Sequence, residues 1–305
     1  MILLWGLPED PPLAAVYKEL LLLDSPVVFL NQKETQNLEI ELFIDSHISG
    51  KIRTKDQEID LNSIDALYLR PYDMHAFPEF NILSESNTDS THSNNFEDCM
   101  FIYSELTSSL VINRPAAMAS NTSKPSQSMQ IVSAGFDIPD TLITTDAAAV
   151  LEYWTKYGTI IYKSISGIRS NDSRFTSSHV ERLNNIAWCP TQFQEYIPGD
   201  DYRIHIVGNS VFASQIISEA DDYRYPENGL SVEMHTCSLP GYVEKRCKEL
   251  VTTMGLVVAG VDLRNNPDGR WICFEVNPSP DFTYYYETAS NRVAESIARL
   301  LASAK

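Results

Sequence analysis

Paired cysteines are missing: the five present, Cys99, Cys189, Cys237, Cys247 and Cys273, are odd in number, scattered and without CxxC spacing. That excludes a disulfide framework and gives no zinc-ligand pattern, so a reducing cytoplasm is expected. Basic residues are few beside acidic ones, 23 Lys and Arg against 41 Asp and Glu, for a formal net charge of −18. A nucleic-acid or anionic-membrane binder needs an extended basic surface, so neither partner is expected. Long apolar runs are also lacking. The opening MILLWGLPEDPP is too short for a signal peptide and passes into acid and proline, and no stretch could span a bilayer. The first βα loop, Gly6 to Pro12, has one glycine and two acids, which makes a poor phosphate cradle and no dinucleotide fingerprint.

What is there is 305 residues, 43% hydrophobic and 21% charged, an ordinary globular composition. Two or three lobes of ~100–200 residues fit that length. Apolar runs at 2–5 and 27–30 flank helical spacing at 13–23, one βαβ unit, and further strands are expected at 38–44, 50–54 and 66–69. Residues 84–95 carry hardly an apolar side chain and read as an exposed loop, either a surface insertion or a flap. A helix over 96–110 follows. Around 114–120 the first lobe ends.

The stretch 257–287, VVAGVDLRNNPDGRWICFEVNPSPDFTYYYE, carries the densest chemistry. Asn266-Pro267-Asp268-Gly269 between two β-rich runs is a hairpin signal, since Pro presets φ and Gly accepts φ > 0. A register centred on Pro267-Asp268 sets Asp262 opposite Cys273, on the face that also carries Glu275 and Asn277; a bulge at Gly269 would change it. Three oxygen donors without His or Cys suit a hard cation, magnesium held against phosphates best of all. An ordinary solvated hairpin fits the same triplet.

Upstream, Lys124 opens a helix capped by Ser123 or Thr122, with Pro125 in its first turn and Gly135 at its end. A strand at 159–162 ends in Lys163 and runs into Ser164-Ile165-Ser166-Gly167-Ile168-Arg169, small, polar and basic, suited to closing over phosphates. On the strand beyond Gly199, Asp201, Arg203 and His205 share a face. Gly208-Asn209 is a hairpin turn, and 240–254 an amphipathic helix.

In this order (lysine, lysine with loop, Gln194-Glu195-Tyr196-Ile197, Asp201-x-Arg203, then Asp262 with Glu275-x-Asn277) the chain resembles the ATP-grasp superfamily from about Asn113 to its end. Gly-Phe-Asp-Ile-Pro-Asp-Thr-Leu-Ile-Thr at 135–144 and the stretch 190–203 are most similar to ribosomal-peptide maturases of the microviridin, or graspetide, type, and more generally to ribosomal-protein glutamate ligases. The resemblance implies an α/β (α+β) chain: a Rossmann-like pre-ATP-grasp domain over 1–115, a central subdomain with the phosphate loop over 116–195, and a C-terminal subdomain with the metal site over 196–305.

It also implies ATP and Mg2+, with Asp262, Glu275 and Asn277 on the metal and Lys124, Lys163, Ser166, Gly167 and Arg169 around the phosphates. Unpaired backbone at Gln194, Glu195, Tyr196 and Ile197 would read adenine, Asp201 would hold ribose, and Arg203 would act on the transferred group. The activity implied is ATP-dependent ligation of a carboxylate to an amine or hydroxyl, on a ribosomal peptide or on free amino acids or a small acid. A non-catalytic ATP sensor is the alternative of another class. The oligomeric state is open, a homodimer included.

Overall fold

The computed structural model describes residues 1–73, 87–165, 173–218, 232–283 and 287–304, without the side chains of 87–90 and 287–291. The chain divides into two compact units, Met1–Met118 with Gly255–Val258 and Ser279–Lys305, and Ala119–Met254 with Ala259–Pro278.

The first unit is built on a parallel sheet ordered β2-β1-β6-β7, from β1 (Ile2–Gly6), β2 (Val27–Asn31), β6 (Ala66–Arg70) and β7 (Leu110–Ile112). The expected βαβ unit is there: β1 and β2 pair in parallel across α1 (Pro11–Leu22). Asp10 caps that helix, accepting from the Leu13 N–H, while Arg70 Nε donates to the same carboxylate at 2.6 Å. The acids of the glycine-poor loop are therefore structural here, and burial of both partners makes the pair sensitive to removal of either one. A second sheet, β3 (Glu39–Ile44), β4 (Ile48–Arg53) and β5 (Glu58–Asp60), is antiparallel; the three-residue β5 was too short to be read from sequence.

The expected loop at 84–95 is corrected: α2 spans Asn87–Leu106, and only 84–86 lie outside the described residues. Phe96, Met100 and Tyr103 form a buried helical stripe, and helix propagates backward from it through poor helix formers because adding a residue to a formed helix is cheaper than nucleating one. His92 Nε2, hydrogen-bonded with the Leu38 carbonyl at 2.8 Å, fastens that polar turn. Within this unit buried Asn113 fastens the segment that leads into the hairpin, donating to the Val258 carbonyl and accepting from the Val257 and Val258 N–H groups.

The second unit holds two sheets. One is ordered β10-β9-β11-β8, from β8 (Thr141–Thr144), β9 (Ile160–Ser164), β10 (Ser173–Arg174) and β11 (Thr191–Glu195). Its apolar face, with Ile160 and Phe193, packs on Val150, Phe175, Leu183 and Ile186 under α4 (Ala147–Tyr157). The other is ordered β14-β13-β12-β15-β16, from β12 (Asp200–Val207), β13 (Ser210–Ser218), β14 (Val232–Cys237), β15 (Val258–Asn265) and β16 (Trp271–Asn277). Helices α3 (Lys124–Ser133) and α5 (Gly241–Thr253) complete the unit, and α6 (Glu287–Ala302) packs on α1 in the first.

No disulfide links the cysteines, and their burial differs: Cys189 is exposed, Cys247 and Cys273 are buried. Burial lifts the Cys247 thiol from 9.0 to about 12 and raises Cys273 well above its usual range. A thiol reagent at pH 8 is therefore expected to label Cys189 first and to reach Cys247 and Cys273 only on unfolding, which mass spectrometry of the labelled peptides would check. Because both buried thiols ionise more readily unfolded than folded, their contribution to stability is complete below about pH 9 and is lost progressively above it.

Candidate functional site

The expected hairpin forms, in a register other than the expected one. Asp262 faces Glu275, not Cys273, and Gly260 faces Asn277. The loop closes between Asn265 and Trp271, one residue longer than expected, and the ladder slips after Asp262, leaving Phe274 as the extra residue. The bulge sits there and not at Gly269, whose φ of +79° serves the turn. Asn266 organises the loop, its side chain accepting from the Arg270 N–H and its carbonyl from the Gly269 N–H.

Two one-residue shifts in the same direction add at Asp262: the longer loop alone would set it opposite Phe274, and the bulge moves the register one residue further, to Glu275, so that the period of two brings Glu275 and Asn277 onto Asp262's face. Cys273 goes to the opposite face with Leu263, fully buried. The donor set, two carboxylates and an amide, fits a hard cation such as magnesium, and Gly260 beside Asn277 brings no side chain of its own. Among the described residues no cluster of three or more His, Cys, Asp or Glu occurs.

Beside the hairpin, β12 delivers Arg203, 6% exposed, whose Nη1 donates to Asp262 Oδ1 at 2.5 Å. The expected face of Asp201, Arg203 and His205 is formed, and His205 is buried. A second cation on this face, Arg264, escaped the sequence reading. Arg264 forks both oxygens of Asp201, Nε to Oδ1 and Nη2 to Oδ2 at 2.8 Å each, and its Nη1 donates to the Ile197 carbonyl at 2.6 Å. It also lies 5.2 Å from the Phe274 ring centroid. Its one advance signal was period two: Arg264 follows Asp262 on the same face of the strand. Each Asp201 oxygen retains a second lone pair for a further donor.

Gln194 and Glu195 are corrected in one respect: they lie in β11, an internal strand paired on both sides, not in unpaired backbone. The Glu195 carboxylate accepts from the Asp140 N–H, and Tyr196 N–H donates to the Thr159 carbonyl. Backbone beyond the ladder begins at the Tyr196 carbonyl. The Arg174 guanidinium stacks 4.6 Å from the Tyr196 ring centroid.

Lys163 on β9 pairs in register with Gln192, and alternation puts Lys163, Gln192 and Gln194 together on the face turned away from the apolar cluster. All three are buried, at 7%, 3% and 7% exposure. A buried lysine on a polar face is where an anion would find countercharge. Lys124 is the first residue of α3, capped by Ser123, and is half-buried. Ser166, Gly167 and Arg169, like the acidic stretch 221–229 and Tyr284 to Tyr286, lie outside the described residues.

The chain shares its fold with solved ATP-grasp ligases. The chain superposes on macrocyclase MdnC bound with precursor peptide MdnA from Microcystis aeruginosa MRC with a TM-score of 0.81, 22% identity and 98% of each chain covered. It likewise matches the RiPP-associated ATP-grasp ligase of Chryseobacterium gregarium, in complex with ADP and a leader and core peptide, at 0.80, 19% identity, and 98% and 96% coverage. By sequence it is 23% identical to β-citrylglutamate synthase B of Danio rerio over 210 residues, 63% of this chain and 50% of that protein. The chain thus spans about half the length of the curated relatives it matches. No family model matches it. Among the described residues no helix is long and apolar enough to cross a membrane.

Proposed function

We propose that the protein is an ATP-dependent ligase that activates a carboxylate on a ribosomally made peptide as its acyl phosphate and joins it to an amine or hydroxyl. The observation that carries this is the shared face of Asp262, Glu275, Asn277 and Arg203, reached through two register shifts that together displace the pairing by two residues. Full-length superposition on two peptide-bound ligases supports the peptide as substrate.

In this reading Asp262, Glu275 and Asn277 hold magnesium, which when bound supplies charge neutralisation for the β- and γ-phosphates. Lys124 and Lys163 balance the remaining phosphate charge, with Ser166, Gly167 and Arg169 closing over it. A substrate carboxylate oxygen attacks the γ-phosphorus, and the bond to the β-phosphate oxygen breaks to release ADP. The amine or hydroxyl then attacks the acyl carbon and gives up its proton, Arg203 steadies the developing oxyanion, and the bond to phosphate breaks. Backbone around Tyr196 and Ile197 meets adenine, while Asp201 spends its second lone pairs on ribose. The reading goes with a cytoplasmic protein, monomer or homodimer, that engages neither nucleic acid nor a membrane.

Incubation with ATP, Mg2+ and candidate precursor peptides is expected to remove one water per bond formed, with one ADP released for each, read by mass spectrometry and a coupled ADP assay. ADP release with free amino acids and none with peptides would favour the small-acid ligase instead. Nucleotide uptake without turnover on any of them would leave a sensor.

A further inference from the structure

Among the described residues the outer edge of β16 has no named strand beside it, yet it is covered. The side-chain amide of Gln127, 3% exposed, does there what a neighbouring strand would do: Nε2 donates to the Val276 carbonyl at 2.7 Å, and Oε1 accepts from the Val276 N–H at 2.9 Å. Three residues back, the Asp137 carbonyl accepts from the Cys273 N–H at 2.8 Å, and Asp137 bridges Ile272 in parallel. The bulged Phe274 lies between these two fixed points. Val276 is itself the residue between Glu275 and Asn277, and Gln127 stands one helical turn after Lys124.

We infer that Gln127 is a positioning residue for the metal and triphosphate site, holding Glu275 and Asn277 at a fixed depth and Lys124 at a fixed distance from both; this rests on the function proposed above. The physical argument is that a bulge locally frees the strand carrying it, so without a pin beyond the bulge Glu275 could slide relative to Asp262. A two-point amide contact to the backbone of a single residue sets position along the strand as well as distance from it. Supporting groups of this kind orient ligands without touching the ion.

The test uses the whole protein with Gln127→Met, which keeps the shape and loses both bonds, and Gln127→Glu, which keeps only the acceptor for the Val276 N–H. Amide exchange without nucleotide should accelerate at Val276 in Gln127→Met, and less in Gln127→Glu. Titration of Mn2+ in the presence of a non-hydrolysable ATP analogue, followed by electron paramagnetic resonance, should weaken by about tenfold or more in Gln127→Met and by less in Gln127→Glu. Should Gln127→Met fail to fold, the Gln127→Glu result decides alone. Faster exchange at Val276 with metal uptake unchanged would overturn the inference, as would unchanged exchange. A wild-type protein that takes up no Mn2+ with nucleotide would sink the proposed function and this inference together, whereas normal wild-type uptake matched by the variants sinks the inference only.

Discussion

Glu275→Gln is expected to cut substrate-dependent ADP release by roughly 10²–10³-fold while leaving the fold intact, since removing one charged group from a phosphoryl-transfer site commonly costs that much. Glu275 is the better target of the two carboxylates. Asp262 is paired with a nearly buried Arg203, and Asp262→Asn would leave that guanidinium facing a neutral amide, a loss of about 3–5 kcal/mol that would mix misfolding with lost chemistry. Glu275 is half-exposed, and Gln has its shape, so the melting temperature should stay within about 2 °C of wild type. The half-saturating magnesium concentration should rise in parallel. Asn277→Ala, which removes the third donor on that face, should act in the same direction. Steady-state ADP release at several magnesium concentrations checks both; activity retained in both variants would remove these residues from the ligand set.

The same residues show where sequence legibility stops. Asp262, Glu275 and Asn277 could be named from residue type and the period of two, because the longer loop and the bulge together displace the pairing by two residues and so restore the shared face. Their partners across the ladder could not be. The loop runs one residue longer and Phe274 bulges out, and neither event has a local sequence signature as plain as a glycine. The expected site of irregularity, Gly269, went into the turn. Residues 87–95 failed for a related reason. Their composition is poor for helix, and what settles them is a stripe of Phe96, Met100 and Tyr103 further along, together with the contact of His92 to a carbonyl more than fifty residues away. Gln194 and Glu195 were recognisable as a motif, but whether their backbone is paired depends on β8 and β9 arriving on either side. Gln127 and Arg264 were unreadable because polar residues on a helix and on a strand carry no mark of a distant backbone carbonyl.

Arg264→Met should strongly destabilise the second unit although it lies outside the apolar core. It strips Asp201 of both forked bonds and the Ile197 carbonyl of its donor, while the methionine stem still covers Phe274. Orphaning a largely buried carboxylate costs about 3 kcal/mol, or roughly 6–12 °C in melting temperature for a unit of this size. Removal of the carboxylate as well relieves part of that cost, so Asp201→Asn combined with Arg264→Met should be less destabilised than the sum of the two single variants, by more than about 1 kcal/mol. Nucleotide affinity separates two roles for Asp201. If the acid served ribose alone, freeing it from Arg264 would leave affinity unchanged or improve it. Because Arg264 also fastens Ile197, where the backbone leaves the β11 ladder, the expected result is an approximately tenfold weaker affinity for an ATP analogue by calorimetry, at a temperature where the variant is folded. Unchanged affinity beside a lowered melting temperature would make Arg264 a structural fastening only, and would leave the placement of the adenine-facing backbone to Gly199, where any Cβ would come within 2.1 Å of the Asn265 carbonyl oxygen.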